Sequence, residues 1–226
     1  MQSVMATMLC IVTFDQPLHT KAREVLSAAP EGSDLSKIVI RLGGFHLLSS
    51  FFGAIGYIMQ GSGIKEVLSL IYAPNSSDKM LTEYACVIAH TLLHLTLATI
   101  ISKELVIDDD MEANLQNTIE DVKNNTISCN DIENCDEKTE ALLDQCNKKL
   151  KQYEGRGSTG KLWIQYFHMV SFAKEFIRAE RMGDWQAHLN CVKEMIPYFH
   201  ASWHFPYAKF TYLHLQQQLL LKMSIC

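Results

Sequence analysis

The apolar positions fall into short blocks with different periods. Leu9-Cys10-Ile11-Val12-Thr13-Phe14 is a compact run rich in β-branched and aromatic residues, the composition of a buried strand. Asp15-Gln16-Pro17 ends it, because Pro17 cannot extend a central ladder but suits the first turn of a helix. Leu18, Ala22, Val25 and Leu26 then share one face of a helix predicted over residues 18–29, closed by Pro30-Glu31-Gly32-Ser33. Residues 37–41 read as a second strand, broken by Gly43-Gly44. A helix of that length between two strands makes a right-handed parallel crossover.

Helical spacing dominates from Phe45 onward. Helices are predicted over 47–59, 64–71 and 79–102, with breaks at Gly61-Ser62-Gly63 and Ala73-Pro74-Asn75-Ser76. The longest apolar stretch, 85–101, contains His90 and His94 and is shorter than the roughly 20 residues of a membrane span. A buried core helix is expected there. Asp108-Asp109-Asp110 opens an acidic, apolar-poor region that runs to Cys146, with helical pieces near 111–122 and 137–153. Such a charge block reads as a solvated linker or helical insertion. Gly155-Arg156-Gly157-Ser158-Thr159-Gly160 reads as a flexible joint and lacks the terminal Gly-Lys-Ser/Thr of a phosphate loop. Three further helices are predicted, over 161–181, 185–199 with Asp184 as N-cap, and 207–223. The pattern therefore predicts a mainly α protein with a small parallel β-α-β unit at its N-terminus. Its expected divisions are 1–104 for that unit and its packed helices, 105–160 for the acidic insertion, and 161–226 for a C-terminal helical region.

Composition narrows the class. With 226 residues, 48% apolar and 20% charged, the chain is long and apolar enough for a sizeable globular core. Its net charge of −5 and lack of a basic stripe argue against binding nucleic acid by phosphate neutralisation. Residues 1–14 carry no basic n-region and no small-residue cleavage site. Seven cysteines without a CxxC pair fit reduced thiols. The expectation is an intracellular protein, cytoplasmic or nuclear, with no membrane attachment.

Three candidate chemistries stand out. Asp15 ends a buried strand just before a helix, where α/β folds place ligands. Nuclease and transposase cores of the ribonuclease-H type hold two divalent metals with such carboxylates. Asp15 is also a good N-cap, and capping alone explains Asp-Gln-Pro. His46 follows the second strand, and in a parallel pair it lies near the same edge as Asp15. The third candidate is a zinc site from His188, Cys191, His200 and His204, since zinc accepts nitrogen and sulfur. Pro197 and Pro206 interrupt that region, and its aromatic neighbours equally suit a packed core.

Several strings carry a resemblance. They are Thr13-Phe14-Asp15-Gln16-Pro17-Leu18, Lys21-Ala22-Arg23-Glu24, Arg41-Leu42-Gly43-Gly44-Phe45-His46 and Ile71-Tyr72-Ala73-Pro74-Asn75. Ala179-Glu180-Arg181-Met182-Gly183-Asp184-Trp185 and Pro197-Tyr198-Phe199-His200-Ala201 complete the set. Together they resemble a widespread family of animal mobile-element proteins, related to a fungal domain of unknown function with a Gly-Asp-Gln-Leu-Thr motif. Both look like divergent transposase or integrase cores. The resemblance implies a partial ribonuclease-H-like α/β core plus a helical region, with Asp15 at a strand-end acidic position and His46 as the following histidine. It also implies a divalent metal if the core is active, nucleic acid as a partner through kinship alone, and a final glutamate in a segment outside this chain. Two departures stand out: Thr82-Glu83-Tyr84-Ala85 where the family carries basic residues, and Trp203 where a glycine precedes His204. The expectation is a truncated or decayed member without catalytic activity alone, acting in protein association and prone to self-association through exposed strand edges.

Overall fold

The computed structural model describes residues 10–30, 32–72, 87–124, 126 and 137–225. β1 (Cys10–Phe14) and β2 (Ile38–Leu42) pair in parallel, with Cys10 opposite Ile38 and Phe14 opposite Leu42. α1 (Gln16–Ser27) crosses between them. Asp15 caps α1: its extended backbone lets Oδ1 accept from Leu18 N at 3.0 Å, and Pro17 occupies the first turn, where a missing N–H breaks no bond. A 3-10 turn, Asp34–Lys37, leads into β2. The remaining elements are helical: α2 (Gly44–Ile58), α3 (Ile64–Ser69), α4 (Val87–Ser102), α5 (Asp109–Lys123), α6 (Glu137–Glu154), α7 (Ser158–Met182), α8 (Trp185–Ala201) and α9 (Phe205–Ile225). The chain is thus mainly helical with a small parallel β-α-β opening, as its hydrophobic pattern predicts. Among the described residues the sheet has two strands.

The chain divides into two compact units. The first joins residues 1–89 to 169–226, and the second comprises 90–168. The boundaries fall inside α4 and α7, so composition alone does not mark them. In the first unit β2 and α2 supply the centre of the core, with Ile40, Leu42, Leu47, Phe51 and Ile55 buried. α7, α8 and α9 add Phe176, Val192, Met195, Phe199 and Ala208. Phe51 meets Phe199 edge to face, 5.8 Å between centroids at 72°, a favoured aromatic geometry.

In the second unit α5 buries none of its residues. Its ends are built from local chemistry: Asp108 Oδ1 accepts from Met111 N at 2.8 Å, acidic residues fill the first turn, and Lys123 closes the last. The acidic stretch is therefore helical where it is described. Tyr153 donates to Glu104 at 2.5 Å, and Val106 N donates to Gln145 at 3.2 Å, tying the segment after α4 to α6.

Several expectations need correction. In α4 both histidines face inward, with Ala89 and Ile101, while part of the aliphatic surface faces outward. His90 and His94 are buried, whereas Leu92, Leu95 and Ile100 are exposed. His90 Nδ1 lies 2.8 Å from the Tyr166 hydroxyl, and His94 stacks on Phe167 at 4.3 Å. The helix's own apolar residues are spread all round its axis, so periodicity could not say which face packs. Pro197 does not end α8, which runs on to Ala201 although Pro197 has no N–H for the carbonyl of Lys193. The glycine-rich joint is confined to Gly155, Arg156 and Gly157, because Ser158 already starts α7. The turn at Ala73-Pro74-Asn75-Ser76, the expected helix from Lys79 to Cys86, and Cys129 and Cys135 lie outside the described residues. Among the described residues no helix is long and apolar enough to cross a membrane.

Candidate functional site

The carboxyl ends of β1 and β2 meet at Phe14 and Leu42. Gly43 N donates to Phe14 O at 2.7 Å, and a Cβ on Gly43 would stand 3.0 Å from that same oxygen. The close approach explains a glycine at a position whose backbone angles suit any residue. α2 begins one residue later. From the end of β2, Arg41 reaches Glu180 on α7 and donates to its Oε1. His188 Nδ1 on α8 lies 2.6 Å from the same oxygen. Trp185 stacks on His188, 4.7 Å between centroids at 12°, and the Arg41 guanidinium sits 4.6 Å from the Trp185 ring. Gly44 makes room for the carboxylate, since a Cβ there would lie 3.1 Å from Glu180 Oε2 and 3.4 Å from Phe176.

The electrostatics follow from this geometry. The close approach of His188, with help from Arg41, holds the Glu180 carboxyl below its ordinary value against the opposing effect of burial. Next to this group lies a second layer of buried imidazoles. His214 on α9 stands perpendicular to His188 at 6.1 Å and is 1% exposed. Burial first, then the neighbouring His188, Arg41 and His19, push its pKa down to about 3, with Glu180 opposing. His19 on α1 is fully buried, and burial together with Arg23 lowers it to about 4. Neither His19 nor His214 has a hydrogen-bond partner on either ring nitrogen among the described residues.

Asp15 and His46 both lie at this edge of the sheet, but neither joins the Arg41–Glu180–His188 group. Asp15 caps α1 through Leu18 N. His46 is exposed on the first turn of α2, edge-on to Phe45 at 5.4 Å. The four residues of the expected zinc site also go separate ways. His188 is bound to Glu180. Cys191 is buried, and burial pushes its thiol up to about 12. His200 is exposed near the end of α8 and tilts against Phe205 at 5.9 Å. His204 does not continue the face of His200, because α8 ends at Ala201 and Trp203 then adopts φ 62°. His204 Nδ1 instead packs on Ser202, 2.9 Å from its hydroxyl and 2.9 Å from its carbonyl. Among the described residues no group of three or more His, Cys, Asp or Glu is arranged to hold a metal.

The residues that do converge were legible only in part. Arg41 and Gly44 belong to one of the strings singled out above, and Glu180 and Trp185 to another, so the strings marked the place without showing the contact. His19 and His214 carry no signal at all in the sequence, being single histidines on otherwise ordinary helical faces. The model of one protein family, described as a domain of unknown function (DUF8702), matches residues 2–226. Comparison with curated proteins and with solved structures finds no match.

Proposed function

The chain belongs to the DUF8702 family; from the resemblance carried by the strings at Arg41–His46 and Ala179–Trp185 we propose that it is a mobile-element-derived, transposase-related protein that works by self-association rather than by cutting nucleic acid. In this reading the β-α-β opening is a partial ribonuclease-H-like unit that serves as scaffold. The observation that carries it is the use made of the two carboxylates near the strand ends. Asp15 is engaged as a helix cap, and Glu180 is engaged by Arg41 and His188. Two-metal phosphoryl chemistry needs such carboxylates turned together toward the ions. Here each is turned toward a partner within the fold.

Self-association is supported by where apolar side chains face. Leu92, Leu95 and Ile100 of α4 are exposed in the second unit, and Ile11 of β1 is exposed in the first. A strand with an open edge and a helix with aliphatic residues outward both favour pairing with another copy. Sedimentation velocity on the full chain is expected to show dimers or larger species that dissociate in a Leu92→Glu/Leu95→Glu variant. A monomer at all concentrations would sink this part of the reading.

A second reading is a divalent-metal nuclease using Asp15. Glu180 favours it, as a second carboxylate brought to the start of α2 by the fold. Incubation with supercoiled plasmid and Mg2+ or Mn2+ separates the two. The scaffold reading expects no nicking above that of an Asp15→Asn variant. Nicking that disappears in Asp15→Asn would establish the nuclease instead.

A further inference from the structure

The outward face of α4 in the second unit is a stripe without charge. Leu92, Leu95 and Ile100 are each about half exposed, and Thr96 and Thr99 lie exposed among them at three- and four-residue spacings, so the five share one face. No Asp, Glu, Lys or Arg occurs anywhere in α4. The two hydroxyls are turned to their own helix: Thr96 Oγ1 donates to Leu92 O at 2.9 Å, and Thr99 Oγ1 to Leu95 O at 2.8 Å. Drying the stripe therefore strands neither hydroxyl hydrogen.

A hollow of about 80 Å3 opens at one end of this stripe. Ile100 belongs to both, and Leu97 on α4, Tyr153 on α6, and Trp163 and Phe167 on α7 line the hollow with largely apolar surface. Those four are only half-buried, so the hollow is open to a neighbour. Its size suits one branched aliphatic side chain. Leu92, at the other end of the stripe, is such a side chain and stands outward. It cannot reach the hollow on its own helix, but on a second copy running antiparallel it can. Leu92 and Ile100 lie four positions on either side of Thr96. A two-fold axis through Thr96 therefore sets Leu92 of each copy against Ile100 of the other. Charge points to the same partner. The second unit holds 14 acidic and 8 basic residues, so two copies repel over most of its surface but not along α4. Antiparallel helices also oppose their dipoles favourably.

We propose that two copies of the chain pair through α4, antiparallel about a two-fold axis at Thr96, with Leu92 of each copy entering the hollow beside Ile100 of the other. This pairing rests on the self-association reading above and fixes its surface, symmetry and register.

The test places single thiols along the stripe of the full chain and oxidises it with copper phenanthroline, the native chain with its seven cysteines serving as control. The two-fold axis brings the two Thr96 positions together, whereas the two Leu92 positions stand about 12 Å apart along the helices, beyond the reach of a disulfide. Thr96→Cys is expected to give a covalent dimer in which peptide mapping finds the two introduced thiols joined. Leu92→Cys and Ile100→Cys should each fail to link to themselves but should link to one another when mixed. Self-linked Leu92→Cys would mean parallel helices and would overturn the register. A charge exchange gives a second measurement without thiols. Leu92→Glu and Ile100→Lys should each weaken the dimer about ten-fold or more in sedimentation equilibrium, and the double variant should recover affinity, because each introduced glutamate then faces an introduced lysine. A double variant as weak as the singles would overturn the pairing. Native dimers that give no Thr96→Cys link, or that withstand both single charges, put the contact elsewhere, which overturns the α4 pairing and leaves self-association standing. A native chain that is monomeric at all concentrations overturns both.

Discussion

His188 Nδ1 lies 2.6 Å from Glu180 Oε1, across the turn that joins α7 to α8. Arg41 approaches the same oxygen from the end of β2, so one carboxylate fastens three elements of the first unit. A glutamine in its place keeps the shape but removes the charge. Glu180→Gln is expected to cost about 2 kcal/mol in urea unfolding, the size of a partly buried charge-assisted hydrogen bond. Arg41→Met and the double variant complete a cycle whose coupling should be about 1 kcal/mol, because Arg41 and Glu180 are both partly solvated.

Trp203 is the one described non-glycine residue with positive φ, and it is 68% exposed. Its ring touches Phe205 at 5.6 Å but is otherwise solvated, so little burial is lost by removing it. A glycine accepts φ 62° without a Cβ clash. Trp203→Gly is therefore expected to stabilise the protein by about 1 kcal/mol, the relieved strain outweighing glycine's greater unfolded freedom. A higher Tm by calorimetry checks it, and a lower one would show that the Phe205 contact matters more.

Acid should unfold the first unit early. His19 and His214 have pKa values lowered to about 4 and about 3 in the fold, with burial the leading cause in both. Their ordinary value is 6.5, so between that pH and the lowered values the unfolded chain binds more protons than the folded one. Their contribution to stability is complete above 6.5 and is lost as pH falls toward 4 and 3. Each pH unit in that window costs about 1.4 kcal/mol per histidine, so by about pH 4.5 the two together cost on the order of 5 kcal/mol. That rivals the whole stability of an ordinary domain. Urea midpoints between about pH 7.5 and about pH 4.5 should fall steeply in the native chain and far less in His19→Leu/His214→Leu.

Gly43 tests the seam between the strands and α2. A Cβ there would meet Phe14 O at 3.0 Å, and that carbonyl already accepts from Gly43 N. A backbone oxygen held in a parallel pair cannot swing aside as a side-chain tip can. Gly43→Ala is expected to destabilise by about 1–3 kcal/mol. Gly32→Ala, at φ +80° with nothing within 4 Å, separates crowding from backbone strain as a comparison.

The elements and their ends were already readable along the chain. Asp15 before Pro17 and Asp184 before Trp185 announced caps that the fold makes, Asp184 Oδ1 accepting from Ala187 N at 3.0 Å. Such features depend on a few adjacent residues, so spacing suffices to see them. An equally local feature that spacing hides is the turn at Trp203, which takes His204 off the face of His200. The inward histidines of α4 were out of reach because a helix apolar all round does not declare which side will pack. Arg41 and Glu180 lie 139 positions apart, and only the packing of β2 against the end of α7 brings them into contact. The burial that lowers His19 and His214 likewise arises from helices distant in sequence. Local order follows from neighbouring residues, whereas the site exists only where separate segments are pressed together and water is excluded.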